Sequence, residues 1–242
     1  MDNLIRVYEN VLDKEFCQKL IDKYEESEDA QSKTSTAGRQ FTEIPMHNYM
    51  SVWGDEFIAC LNSFHGIIEN YKQEIGIEPI NSSKPKNALW PEQYGMEGIK
   101  IKRYLPNDED EFSWHVDVSD GQSNARFLAF FVYLDDNDAG ETEFGGWIGD
   151  FTAKCVAGSA ILFPPMWPWL HRGKKPINKP KYLLQSYLHY VSPEILGEPS
   201  QWEFESIERL QKLNQKEKTK QLISNLIKKY PNSEKLKNAR CL

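Results

Sequence analysis

Arg126-Phe127-Leu128-Ala129-Phe130-Phe131-Val132-Tyr133-Leu134 carries its only charge at its first residue. A run this apolar and rich in aromatic and branched side chains reads as a buried strand, and Asp135-Asp136-Asn137-Asp138 ends it as a turn. Upstream, Ile99 and Ile101 alternate with Lys100 and Lys102, the two-residue period of a strand. Downstream, strands are expected at Lys154–Val156, Ser159–Phe163 and Tyr182–Val191, with Gly158 making the turn between the first two. Many strands punctuated by Gly and Pro, with no βαβ alternation, favour a mainly β fold with α additions. The expected form is a double-sheet jelly roll, or double-stranded β-helix, with helices buttressing one sheet.

The flanks read as helical. Asp13 is placed to cap a helix to about Glu28, with Phe16, Leu20 and Tyr24 four apart. A second helix is expected from about Asn48 to Glu74, with Val52, Trp53, Phe57, Leu61, Phe64, Ile68 and Tyr71 on one side and Gly76 as its stop. Asp29–Thr42 and Asn81–Asn87 read as mobile loops. After Pro199, Trp202, Ile207, Leu210 and Leu213, then Leu222, Ile223, Leu226 and Ile227, predict amphipathic helices broken at Tyr230-Pro231-Asn232. Their apolar stripe is expected on the core; a monomer and a homodimer both stay open. The resulting division is a support region over 1–97, a jelly-roll core over 98–191 and a helical C-terminal extension over 192–242.

The chain has 242 residues, enough for one domain of this kind, and a net charge of −7. That balance argues against a general nucleic-acid binder. The lysine-rich tail from Arg209 onward reads as a solvated helical face. Cys17, Cys60, Cys155 and Cys241 show no C-x-x-C spacing, which argues against structural zinc. No apolar stretch has the length of a bilayer span and the opening residues lack a secretory pattern. The expectation is a cytoplasmic protein with reduced thiols and no membrane partner.

The chemistry centres on Ser113-Trp114-His115-Val116-Asp117. On an extended run His115 and Asp117 share a face. A His-x-Asp pair supplies two ligands of a 2-His-1-carboxylate triad, which holds non-haem Fe(II) and leaves positions open. His171 is the third candidate. Lys181 follows ten positions later, at the head of an apolar run, as a cation for a dicarboxylate.

Arg103-Tyr104, His115-Val116-Asp117, Arg126-Phe127 leading into Tyr133-Leu134-Asp135, Gly140-Glu141-Thr142-Glu143-Phe144, Gly158–Pro164, His171-Arg172-Gly173 and Lys181-Tyr182 occur in an order that resembles the Fe(II)/2-oxoglutarate-dependent dioxygenases. Within them the chain is most similar to the prolyl 4-hydroxylase-like branch, including its short bacterial and phage-encoded members. The resemblance spans roughly residues 4–191. It implies that His115, Asp117 and His171 form the catalytic iron site. Lys181 would bind the far carboxylate of 2-oxoglutarate, helped by a hydroxyl of Tyr133, Tyr104 or Thr142. O2 would be the second cosubstrate and ascorbate a supporting reductant.

Arg126 and Tyr187 are expected near the site mouth, Tyr187 standing where prolyl 4-hydroxylases frequently have tryptophan. Trp114, Trp167 and Trp169 flank the ligands and suit an aromatic groove for a Pro-rich peptide. The loop containing Arg39 is a candidate lid. The implied activity is hydroxylation of a prolyl residue in a peptide or protein, with release of succinate and CO2. Two alternatives stand beside it: the same cofactors acting on another side chain, a free amino acid or a small metabolite, and a non-catalytic jelly-roll binding module.

Overall fold

Alternation along residues 126–133 sorts one strand's side chains between two cores. Leu128, Phe130 and Val132 join a cluster built with the helices, while Ala129, Phe131 and Tyr133 join a second cluster inside the curled sheet. Both faces are covered, which is why the run is apolar throughout. The structure is a computed structural model that describes residues 4–75, 90–91, 93–107, 109–191, 199 and 201–239. The expected stop at Gly76, the loop Asn81–Asn87 and Cys241 lie outside them.

The described strands are β1 (Arg6–Tyr8), β2 (Ser32–Thr36), β3 (Arg39–Pro45), β4 (Tyr94–Met96), β5 (Lys100–Tyr104), β6 (Glu111–His115), β7 (Arg126–Tyr133), β8 (Asn137–Gly145), β9 (Phe151–Cys155), β10 (Ala160–Phe163), β11 (Leu170–Gly173) and β12 (Lys181–Tyr190). The helices are α1 (Lys14–Glu26), α2 (Met50–Glu74), α3 (Gln201–Lys212), α4 (Lys216–Lys229) and α5 (Glu234–Ala239). The strands follow the order β1-β10-β7-β12-β5-β3-β6-β11-β8-β9, with β2 on β3 and β4 on β12. Every strand pair is antiparallel, and the sheet curls into a nearly closed, jelly-roll-like barrel.

Helix α1 begins where Asp13 Oδ1 accepts from the Phe16 amide at 2.7 Å, so the predicted cap forms. Helix α2 lies on the outer face of the sheet, with Phe64 edge-on to Phe130 at 4.9 Å. Ile207, Leu210, Leu222, Ile223, Leu226, Tyr230 and Leu236 enter the same cluster, so the C-terminal stripe packs on the core. Parts of the basic tail are paired rather than simply solvated: Lys229 meets Glu203 at 2.9 Å and Lys218 meets Asp55 at 3.0 Å. No helix among the described residues is long and apolar enough to cross a membrane.

Several local expectations differ from the structure: Val52 and Leu213, read onto the apolar stripes, are exposed. Asp29–Thr42 is a hairpin of β2 and β3 rather than a mobile loop. Its Ser/Thr alternation is compatible with a strand, Gly38 turns it at φ +70°, and buried Phe41 and Ile44 hold β3 between β5 and β6. The turn after β7 is confined to Asp135-Asp136, because Asn137 is already buried at the head of β8 with its amide on the Lys179 and Pro180 carbonyls. Strand β6 stops at His115, and Asp117 lies just beyond it, its amide donating to the Pro165 carbonyl at 2.8 Å.

Candidate active site

His115 at the end of β6 pairs across the sheet with His171 on β11, so their rings sit on the same inner face, 4.3 Å apart. His115 Nδ1 lies 2.6 Å from the Ser113 carbonyl and His171 Nδ1 lies 3.0 Å from the Trp169 carbonyl. A carbonyl oxygen only accepts, so each Nδ1 carries the hydrogen and each Nε2 presents a lone pair. Those lone pairs face Asp117: His115 Nε2 is 3.3 Å from Oδ1 and His171 Nε2 is 3.4 Å from Oδ2. Neither contact has hydrogen-bond geometry, and both Nε2 atoms and Asp117 Oδ2 are buried with no hydrogen-bond partner among the described residues.

Three acceptors aimed at one another repel unless a cation lies among them. Their ligand atoms all fall within 4.8 Å of each other, which fits a metal bound by two imidazoles and a carboxylate. Burial lowers the pKa of His115 against the opposite pull of Asp117. Phe112 stacks on the His115 ring at 3.5 Å and fixes its plane.

Tyr187 stands on the ligand carboxylate rather than at an open mouth. Its hydroxyl donates to Asp117 Oδ1 at 3.0 Å and accepts from Gln185 Nε2 at 2.5 Å. Arg126 lies against the outer side of that ring, its guanidinium carbon 3.9 Å from the centroid, and its fork is held by Glu97 at 2.5 and 2.8 Å. Of the two residues expected as substrate contacts, Tyr187 is thus bonded to Asp117 and Arg126 is held between the Tyr187 ring and Glu97.

Inward from the triad lies a narrow cavity lined by Tyr104, Phe131, Thr142, Lys181, Leu183 and Gln185 among others. Lys181 is 1% exposed and its ammonium lies near the rings of Tyr104 and Tyr133, 5.4 and 5.6 Å from their centroids. The Tyr133 hydroxyl donates to Thr142 Oγ1 at 2.6 Å. Burial pushes the Lys181 ammonium below its usual pKa and the phenols of Tyr104 and Tyr133 above theirs. A buried cation beside hydroxyl groups is a receptor for a carboxylate. Gly140 makes room for it, since a Cβ there would lie 2.8 Å from Lys181 Cδ.

A second buried lysine, given no role by the sequence pattern, also lines the cavity. Lys102, 2% exposed, lines it beside Lys181, His115 and His171. Burial brings its pKa down to about 7, against the opposite pull of Glu43, whose Oε2 is 3.7 Å away.

The tryptophans do not join the triad. Trp114 alternates with His115 and lies on the opposite side of β6, 43% exposed, under Arg172 at 4.7 Å. It borders a separate groove with Pro106, Arg172, Lys174, Pro176 and Ile177. Trp167 is 76% exposed, while Trp169 packs on the inner cluster and gives its carbonyl to His171. Arg39, the candidate lid residue, sits on β3 against the Phe41 and Phe112 rings at 5.5 and 5.1 Å.

The curled antiparallel sheet thus carries a His-x-Asp…His triad at one end of its interior and a buried lysine deeper inside. Residues 99–189 match the family model described as the 2OG-Fe(II) oxygenase superfamily. The matched residues include the strands that carry this site.

Three solved structures share the fold. A collagen prolyl hydroxylase of Paramecium bursaria Chlorella virus-1 is 14% identical, with a TM-score of 0.52 over 79% of this chain and 98% of that one. A prolyl hydroxylase of Trichoplax adhaerens, in complex with a hypoxia-inducible-factor peptide, is 11% identical, with a TM-score of 0.56 over 78% and 84%. A non-haem alpha-ketoglutarate-dependent epimerase from nogalamycin biosynthesis is also 11% identical, with a TM-score of 0.52 over 77% and 78%. At these identities the likeness is one of fold. No functionally curated protein matches the sequence.

Proposed function

We propose that this oxygenase hydroxylates a prolyl residue of a peptide or protein. Bound Fe(II) and 2-oxoglutarate would supply the oxidising chemistry, consuming O2 and releasing succinate and CO2. The observation that carries the oxygenase reading is the convergence of three buried, unpartnered donor atoms on His115, Asp117 and His171. His115 and His171 hold their Nε2 lone pairs toward the metal through their Nδ1 hydrogen bonds, and Tyr187 orients the carboxylate. Lys181, with the Tyr133–Thr142 hydroxyl pair, receives the far carboxylate of the cosubstrate. The apolar walls made by Phe131, Leu183 and Phe112 keep water out of the oxidising site.

Support for a prolyl peptide comes from two sides. The fold is shared with two prolyl hydroxylases, and Trp167, just ahead of β11, is 76% exposed, the type of side chain on which polyproline II segments dock. A second reading keeps the cofactors and changes the substrate to another side chain, a free amino acid or a small metabolite; the epimerase with the same fold favours it.

Incubation with Fe(II), 2-oxoglutarate and O2, with and without Pro-rich peptides, separates the two. Peptide-stimulated succinate release with a gain of one oxygen atom on proline supports the first. Succinate without stimulation by any peptide, but with a free amino acid or metabolite, overturns it in favour of the second.

A further inference from the structure

Two buried ammonium groups line the cavity, and the assignments above use one. Lys102 shares its protein counter-charge: Glu43 meets Lys100 through Oε1 at 2.8 Å and Lys102 through Oε2 at 3.7 Å, so two ammonium groups face one carboxylate. Burying a second lysine is costly, so a counter-charge brought by a ligand is the natural explanation of its place.

The strand register says where that charge would be. In the β12–β5 ladder Lys181 lies opposite Tyr104 and Leu183 lies opposite Lys102. On β12 the inward side chains run Lys181, Leu183, Gln185, Tyr187, and Tyr187 reaches the ligand carboxylate of Asp117. Lys102 is therefore displaced from Lys181 toward the metal ligands by one two-residue step, about 7 Å along the strand. A five-carbon dicarboxylate whose far carboxylate meets Lys181 turns its 2-oxo-acid end in that direction.

We infer that Lys102 is the second cation of a two-ended clamp on 2-oxoglutarate, binding the 1-carboxylate at the metal end while Lys181 binds the 5-carboxylate. The inference rests on the cofactor part of the function proposed above. It makes this chain selective for a 2-oxo dianion at both ends, with one lysine for each carboxylate.

The test measures binding rather than turnover, on protein loaded with oxygen-inert Zn(II), by calorimetry or ligand-observed NMR. Three probes are compared: 2-oxoglutarate, 2-oxopentanoate, which keeps only the 1-carboxylate, and 4-oxopentanoate, which keeps only the far one. Lys102→Met is expected to weaken 2-oxoglutarate and 2-oxopentanoate by about tenfold to a hundredfold, the worth of one charge-assisted hydrogen bond, and to spare 4-oxopentanoate. Lys181→Met should give the converse pattern, and Lys102→Arg should recover part of the loss. Lys102→Gln serves as a second uncharged variant should the methionine disturb folding.

Unchanged 2-oxoglutarate affinity in Lys102→Met, or an equal loss for 4-oxopentanoate, overturns the assignment alone. Failure of wild-type Zn(II) protein to bind 2-oxoglutarate would overturn both this assignment and the proposed cosubstrate.

Discussion

Tyr187→Phe isolates one hydroxyl behind the metal site. The phenylalanine ring keeps the stack with Arg126, so only the 3.0 Å bond to Asp117 Oδ1 and the 2.5 Å bond from Gln185 are lost. Tyr187 is 7% exposed and the Asp117 side chain 3%, so water does not readily replace the missing donor. A hydrogen bond to a buried charge contributes about 1.5–3 kcal/mol, and each 1.4 kcal/mol is about tenfold in affinity. Part of this stabilisation is already present without metal, which brings the expected weakening of metal binding to about tenfold to a hundredfold. Titration of the metal-free protein with Co(II), followed by its visible bands, measures this directly. A Co(II) affinity within about twofold of wild type would refute the reasoning that Tyr187 positions the ligand.

Three further outcomes follow from the same geometry. His171→Ala removes a ligand and should abolish both stoichiometric Co(II) binding and succinate formation, with the fold retained by circular dichroism. Gly140→Ala brings a methyl against Lys181 Cδ and should raise the Kd for 2-oxoglutarate several-fold while leaving metal affinity unchanged, as calorimetry would read. Lys102 carries a pH signature: its folded pKa of about 7 lies below the ordinary 10.5, so the cost of burying its charge is full below pH 7 and is relieved as pH rises toward 10.5. Lys102→Met should therefore be more stable than wild type at pH 6, by at most about 5 kcal/mol, with the gap closing by pH 10 in urea titrations.

The parts of the fold that the sequence displays best are those where one pattern has one reading. The run 126–134 is apolar throughout and ends in a turn, which reads as a central strand, and Asp13 followed by Phe16, Leu20 and Tyr24 reads as the opening of a helix. The triad was legible because His-x-Asp, a later histidine and a lysine ten positions on form a set whose chemistry is coherent. Residues 29–42 read as a loop because Ser, Thr, Gln and Gly suit both loops and edge strands. What decides between them is pairing with β5, a contact distant in sequence.

The role of Lys102 is hidden in the sequence for a related reason. A lysine alternating with isoleucines reads as solvent-facing, but here the isoleucine side packs on helices and the lysine side faces the barrel interior. The signal was its parity with Tyr104: two residues apart on a strand, they must share a face, and Tyr104 was already a candidate cosubstrate ligand. Tyr187 was assigned to substrate by its resemblance position. Its bond to Asp117 joins residues 70 apart in sequence, a pairing no local pattern encodes.

The most direct test of the account is conversion of 2-oxoglutarate to succinate by protein reconstituted with Fe(II) under O2, compared with Asp117→Ala treated identically. Succinate formed by wild type and absent from the variant is the predicted result. No succinate from iron-loaded wild-type protein, with a full panel of peptides and amino acids present, would contradict the oxygenase reading and bring a non-catalytic binding module to the front.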